Sequence, residues 1–290
     1  MSPQKIALLT DSCADIDLKL AEENHIYIVP LRILCTDGEY LDGVNIHNAD
    51  IYKYLHAGEL PQTSLPSPEE FGEVVKQILE DGFDGIIAIM MSSGLSGTYN
   101  MARLVAEECK GRVPFCTFDS LNASLGLGMT VLQAAKDIQN GMSWEELTER
   151  RIPKLIANTK AFFSVDTLEY LMKGGRIGKV TAAAGTLLHI KPVLSFAEDG
   201  QLVSVGKARG QRQVMQKLVE MTVKACGEHR RYNLAVANGG AVEAMESLRQ
   251  MQMTALPDYD HVWEGEIDGT LSVYIGDGIL GAAVQLLDED

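Results

Sequence analysis

The stretch Ser92-Ser93-Gly94-Leu95-Ser96-Gly97 concentrates hydroxyls and glycines directly after an apolar run, Ile86-Ile87-Ala88-Ile89-Met90-Met91. The isoleucine-rich run reads as a buried strand. Tyr99, Met101, Leu104 and Val105 then follow at helical spacing, with Ser96 expected as the N-cap. A strand, a glycine turn and a helix start present unpaired amide N–H groups at the positive end of a helix, and the serines add hydroxyl donors. That is the chemistry of anion capture, of a phosphate or a carboxylate. The same residues also suffice for a tight turn and cap that bind nothing, and the motif alone leaves both readings open. It is not a hydrolase nucleophile elbow, because Gly94-Leu95-Ser96-Gly97 lacks the residue that G-x-S-x-G places between serine and second glycine.

Other constellations fall short of a complete motif. Gly126-Leu127-Gly128 begins a dinucleotide fingerprint, but Val131 stands at its last position and the stretch lies inside a helical pattern. Gly178-Lys179 resembles the end of a phosphate-binding loop, but Lys173 and Val180 replace the first glycine and the Ser/Thr. His25, His47, His56, His189, His229 and His261 have no metal-ligand spacing, and the scattered Cys13, Cys35, Cys109, Cys116 and Cys226 form no C-x-x-C. No metal, no cofactor and no catalytic group is expected, which favours binding over catalysis. Free thiols and the absence of a leader pattern point to the cytoplasm.

The 290 residues carry 25 Lys+Arg against 40 Asp+Glu, a net charge of −15. Without a basic run, such a chain is expected to repel nucleic acid. No uninterrupted apolar segment is long enough for stable membrane insertion. Ile6–Leu9, a helix over 18–23 and a strand over 26–34 open the chain as β-α-β, implying a parallel sheet. Asp11 is expected to cap a helix start. Pro61, Pro66 and Pro68 stiffen the loop carrying Thr63 and Ser64, and Ser67-Pro68-Glu69-Glu70 starts a helix through a capping box. Beyond residue 158 the pattern changes. A hairpin is expected about Glu198-Asp199-Gly200, then helices over 213–226 and to Arg249, and strands around Val262 and over 271–275; a small-residue helix is expected over 180–188. The fold class is α/β with two domains, residues 1–157 built on a parallel sheet and 158–290 on a mixed one.

Thr10-Asp11-Ser12, Thr63-Ser64-Leu65-Pro66-Ser67, the Ser92–Tyr99 stretch, Leu171-Met172-Lys173-Gly174-Gly175-Arg176-Ile177, Ile190-Lys191-Pro192 and Lys207-Ala208-Arg209-Gly210 occur in this order along nearly the whole chain. Together they resemble the DegV family of bacterial lipid-binding proteins. The resemblance implies an N-terminal α/β/α layer, a C-terminal mixed-sheet domain and a long-chain fatty acid in a buried tunnel. It implies that Thr63 and Ser93 hold the carboxylate, beside the turn of Gly94 and Ser96, with Arg209 near the head group. It further implies a non-catalytic protein that presents the acid to a separate fatty acid kinase subunit. A lipid reservoir without that partner and a stand-alone phosphotransferase are the alternatives.

Three positions depart from the family pattern. Tyr274 and Asp277 in Tyr274-Ile275-Gly276-Asp277-Gly278 stand where relatives carry His and Pro, and Leu65 replaces a Gln. Tyr274 is expected to remain a neutral donor to the carboxylate. Asp277, if it faces the site, would repel an acyl phosphate. Arg176, flanked by glycines, is a candidate cation at the mouth, for a partner or a phosphate.

Overall fold

The computed structural model describes residues 5–180, 190–228 and 231–287. β1 (Ile6–Asp11), a 3-10 turn at Ser12–Ala14, α1 (Leu18–Glu23) and β2 (Ile26–Val29) open the chain, and β1 and β2 pair in parallel. The expected strand over 26–34 is broken. β2 stops before Pro30, which has no N–H for a ladder bond, and β3 (Arg32–Cys35) belongs elsewhere. It pairs with β4 (Gly38–Leu41) and, after α2 (Asn48–His56), with β5 (Gln62–Ser64), as a small antiparallel sheet. Thr63 therefore sits on a strand.

The capping box forms as expected: Ser67 Oγ accepts the Glu70 N–H at the start of α3 (Pro68–Glu80). β6 (Gly85–Met90), α4 (Thr98–Glu108) and β7 (Phe115–Asp119) complete a four-stranded parallel sheet in the order β2-β1-β6-β7. β6 is buried at every residue, which matches its unbroken apolar run. The next helix, α5 (Leu125–Gln139), is buried on all sides from Leu125 to Ala135 because it lies between two sheets. Leu127, Val131 and Ala135 pack with Leu8, Ile87 and Ile89 of the parallel sheet. Leu125 and Met129 pack with Leu194, Ala235 and Ala283 of the second sheet.

A helical passage follows, α6 (Trp144–Glu146), a π-turn at Leu147–Arg151 and α7 (Ile152–Asn158). β8 (Thr159–Ser164) then begins the second sheet, followed by α8 (Glu169–Lys173), β9 (Ile190–Phe196), β10 (Leu202–Arg209), α9 (Gly210–Cys226), β11 (Tyr232–Gly239), α10 (Val242–Ala255), β12 (His261–Glu266), α11 (Gly269–Ile275) and β13 (Ile279–Leu286). The order is β10-β9-β8-β13-β11-β12, antiparallel except for β11 with β12. The hairpin pairs Leu202 with Phe196, as the sequence suggests. The expected strand over 271–275 is instead α11. Asp268 caps it by accepting the Leu271 N–H at 2.7 Å, and Gly276 ends it with φ +73°. The expected helix over 180–188 lies outside the described residues from 181 onward. Among the described residues no helix is long and apolar enough to cross a membrane.

Candidate functional site

A cavity opens between α5, α11 and the inner face of the six-stranded sheet, with about 890 Å³ of space between atoms, its mouth included. Its existence follows from small residues at a period of two. Ala161, Ala283 and Ala235 pair side by side across β8, β13 and β11, and Phe163, Gly281 and Ala237 form the next row. All six line the cavity. Successive side chains of a strand alternate faces, so these rows, Phe163 apart, present almost no bulk where Leu or Ile would fill the space.

The polar groups gather together on the wall. Thr63 Oγ1 and the Tyr274 hydroxyl share a hydrogen bond of 2.5 Å. Arg176 lies over the Tyr274 ring, its guanidinium carbon 5.0 Å from the ring centroid. Its Nη1 donates to the Gly174 carbonyl at 2.8 Å and its Nε to the Leu95 carbonyl at 3.4 Å. Ser96, next to Leu95, lines the same wall and shares a hydrogen bond of 2.8 Å with Thr98. The Gly174-Gly175 pair explains how the arginine reaches this place. A side chain at Gly174 would come within 2.4 Å of the Tyr274 ring, and Gly175 turns the chain with φ +71°.

The serine turn itself is organised differently from an anion nest. The amides from Ser93 to Ser96 are already engaged: Ser93 N–H with Asp119 of β7, Gly94 N–H with Ser92 Oγ, and those of Leu95 and Ser96 with the Ser92 carbonyl. The cap of α4 is Gly97, and Ser96 Oγ accepts the Thr98 N–H from one position earlier. Ser93 is exposed and does not line the cavity. Gly94 serves packing, since a side chain there would lie 2.6 Å from the Gly200 backbone. Ser92 is buried and donates to the Gly200 carbonyl at 2.8 Å. Arg209 is exposed at the end of β10 and off the cavity wall. Asp277 also turns away, its carboxylate 2.9 Å from His56 Nε2, so its charge does not oppose a ligand. Of the expected site residues, the structure brings Thr63, Ser96, Arg176 and Tyr274 together and leaves Ser93, Gly94 and Arg209 outside.

A buried acidic cluster lies behind the wall. Asp11 accepts the Cys13 and Met91 N–H groups, the first being the cap expected from sequence. Asp42 accepts from Ser12 Oγ and from the Gly269 and Thr270 N–H groups. Asp15 accepts from the Ser124 hydroxyl and the Asp268 N–H. Burial pushes the Asp11 and Asp15 carboxyls up to about 7, and raises Asp268 and the Cys13 thiol as well. Ligand atoms of Cys13, Asp42 and Asp268 lie within 4.8 Å of one another, a spacing that a cation would bridge. The raised Cys13 and Asp268 groups are accounted for by protonation without a cation, and Asp42 already has three donors. Single-sequence periodicity does not join residues 11–15, 42 and 268; a polar residue at each of these apolar junctions is the only signal.

The family model "Uncharacterised protein, DegV family" matches residues 5–286. A DegV domain-containing protein of Clostridium acetobutylicum is 36% identical over 281 residues, 97% of this chain and 99% of its own. The chain belongs to the DegV family. Among solved structures, a DegV family protein from Thermus thermophilus described by its fatty acid binding superposes with a TM-score of 0.91 at 32% identity, covering 98% of this chain and 100% of its own. A stearic acid-binding protein from Eubacterium ventriosum superposes with a TM-score of 0.86 at 26% identity, covering 97% and 98%. The DegV fold of this chain is thereby established: a four-stranded parallel sheet followed by a mixed six-stranded one.

Proposed function

We propose that this DegV protein binds a long-chain fatty acid, with the acyl chain along the alanine rows and the carboxylate at Arg176, Thr63, Tyr274 and Ser96. The observation that carries the reading is an apolar cavity with a cation, Arg176, over the ring of Tyr274, whose hydroxyl is bonded to that of Thr63. An anionic head and an apolar tail are what this distribution complements. Each buried methylene contributes about 0.8 kcal/mol, so the tail supplies most of the affinity and the head fixes orientation. The fatty acids bound by structural relatives support the same reading. Native mass spectrometry before and after organic extraction tests it. An acyl adduct lost on extraction and restored by palmitate is the expected outcome; a protein that carries no adduct and takes up neither palmitate nor oleate refutes it.

The protein acts without catalytic groups of its own and presents the carboxylate to a separate kinase subunit, in keeping with the family resemblance. A tyrosine hydroxyl offers a hydrogen bond without a positive charge, whereas histidine can carry charge near neutral pH. Tyr274→His is therefore expected to raise acyl-phosphate formation with a cognate kinase subunit at little change in fatty-acid affinity. No gain would mean that Arg176 already supplies the needed charge.

A further inference from the structure

Thr270 is 2% exposed and lines the cavity, yet its hydroxyl has no hydrogen-bond partner among the described residues. A buried hydroxyl normally finds an acceptor, and a threonine inside a helix often uses the carbonyl four residues back. Thr270 is the second residue of α11, so no helical turn precedes it. Its backbone is fixed: the Thr270 N–H donates to Asp42 at 3.2 Å and the Gly269 N–H to the same carboxylate at 2.9 Å. The side chain is thus held at the cavity wall with an unused donor. Thr270 and Tyr274 are four residues apart on α11, hence neighbours on one helix face, and both reach the cavity.

The donors around Tyr274 leave room for another. Thr63 and Tyr274 are bonded to each other, so one of their two hydroxyl protons is consumed and one remains for a ligand. Arg176 commits Nε and Nη1 to carbonyls, leaving Nη2 the freest edge of its fork. A carboxylate has two oxygens and about four lone-pair sites. We propose that Thr270 is a further head-group residue, its hydroxyl donating to the carboxylate from the α11 side and selecting an ionised acid over a neutral lipid head. This rests on the fatty-acid reading above.

Thr270→Val removes the hydroxyl and keeps the shape, so its two possible effects have opposite signs. If the hydroxyl serves the carboxylate, Kd for palmitate rises roughly tenfold or more, Thr270→Ser stays near the parent, and binding of hexadecanol is unchanged by either. The ligand-free Tm of Thr270→Val should equal or exceed the parent's, because an unpaired buried polar group is gone; this separates lost recognition from lost folding. Thr270→Ala gives the same comparison if valine does not fit. Palmitate binding by Thr270→Val as tight as the parent's, or tighter, overturns the assignment while leaving the fatty-acid reading intact. A parent protein that binds no palmitate overturns both.

Discussion

Arg176→Gln is the perturbation that bears most directly on the site. Arg176 is the cation on the cavity wall, half-buried, with its guanidinium over Tyr274 and two of its nitrogens on backbone carbonyls. Glutamine keeps a donor of similar reach and removes the charge. A hydrogen bond to a charged group contributes about 1.5–3 kcal/mol, so Kd for palmitate should rise roughly tenfold to a hundredfold. A direct Coulomb estimate at about 4 Å with an effective dielectric of about 20 gives an upper bound of about 4 kcal/mol. The cation–π contact, about 0.5–2 kcal/mol, exists without ligand and should appear as a lowered Tm. Calorimetric titration of parent, Arg176→Gln and Arg209→Gln with palmitate and with hexadecanol separates these effects. Loss is expected for palmitate and Arg176→Gln alone. A Kd within about threefold of the parent's, or an equal loss for the uncharged alcohol, would refute the assignment of the carboxylate to Arg176.

Asp15→Asn should flatten the dependence of stability on pH. The Asp15 carboxyl is raised from 3.8 to about 7 by burial, so the fold binds a proton that the unfolded chain releases between those values. Its stabilising effect is full below about pH 4 and lost as pH rises through about 7. The asparagine side chain can keep both partners, because the Ser124 hydroxyl can turn to accept, and asparagine tolerates the φ of +52° found there. Chemical denaturation should show a gain at about pH 8 and little difference at about pH 4; an equal shift at both would show that ionisation is irrelevant. Ala283→Leu places about three extra carbons on the central alanine row, and should move the preferred ligand to acids about three carbons shorter; an unchanged chain-length profile by competition binding would show that the tail runs elsewhere. Gly94→Ala drives a methyl against the Gly200 backbone and should cost about 1–3 kcal/mol of stability, which a denaturant midpoint equal to the parent's would contradict.

Much of the fold is legible along the chain because its signals are local. The β-α-β opening, the Ser67–Glu70 capping box and the hairpin at Asp199-Gly200 each rest on neighbouring residues. Thr63, Arg176 and Tyr274 can likewise be singled out, by loop stiffness, flanking glycines and departure from a family pattern. What local pattern leaves open is direction. Ser92, Ser93 and Ser96 have identical chemistry, and only the hydrogen bonds of the folded turn decide that Ser92 faces the hairpin, Ser93 water and Ser96 the cavity. Arg209 and Arg176 are likewise both cations beside glycines, and which one reaches the wall depends on Gly174 admitting the Tyr274 ring. Leu271–Ile275 alternates apolar and polar residues well enough for a strand, and the cap at Asp268 tips it to helix. The alanine rows are a period-two signal of small residues, readable as a void only once β8, β13 and β11 are known to be neighbours.

The strand order has a consequence for how the protein comes into being. β13 lies between β8 and β11, pairing Leu280 with Ser164 and Val236 with Ala282. During synthesis β8 and β11 leave the ribosome well before the strand that joins them. Until residues 279–286 emerge, the sheet is two pieces with unpaired inner edges, and the floor of the cavity is missing Gly281 and Ala283. Pairing across so long a loop is slow and leaves edges open to aggregation. We therefore expect nascent chains stalled before residue 279 to be protease-sensitive beyond β8 even with palmitate present, and chains extended past residue 286 to become resistant. Protection of the shorter chains would mean that the sheet closes in another order.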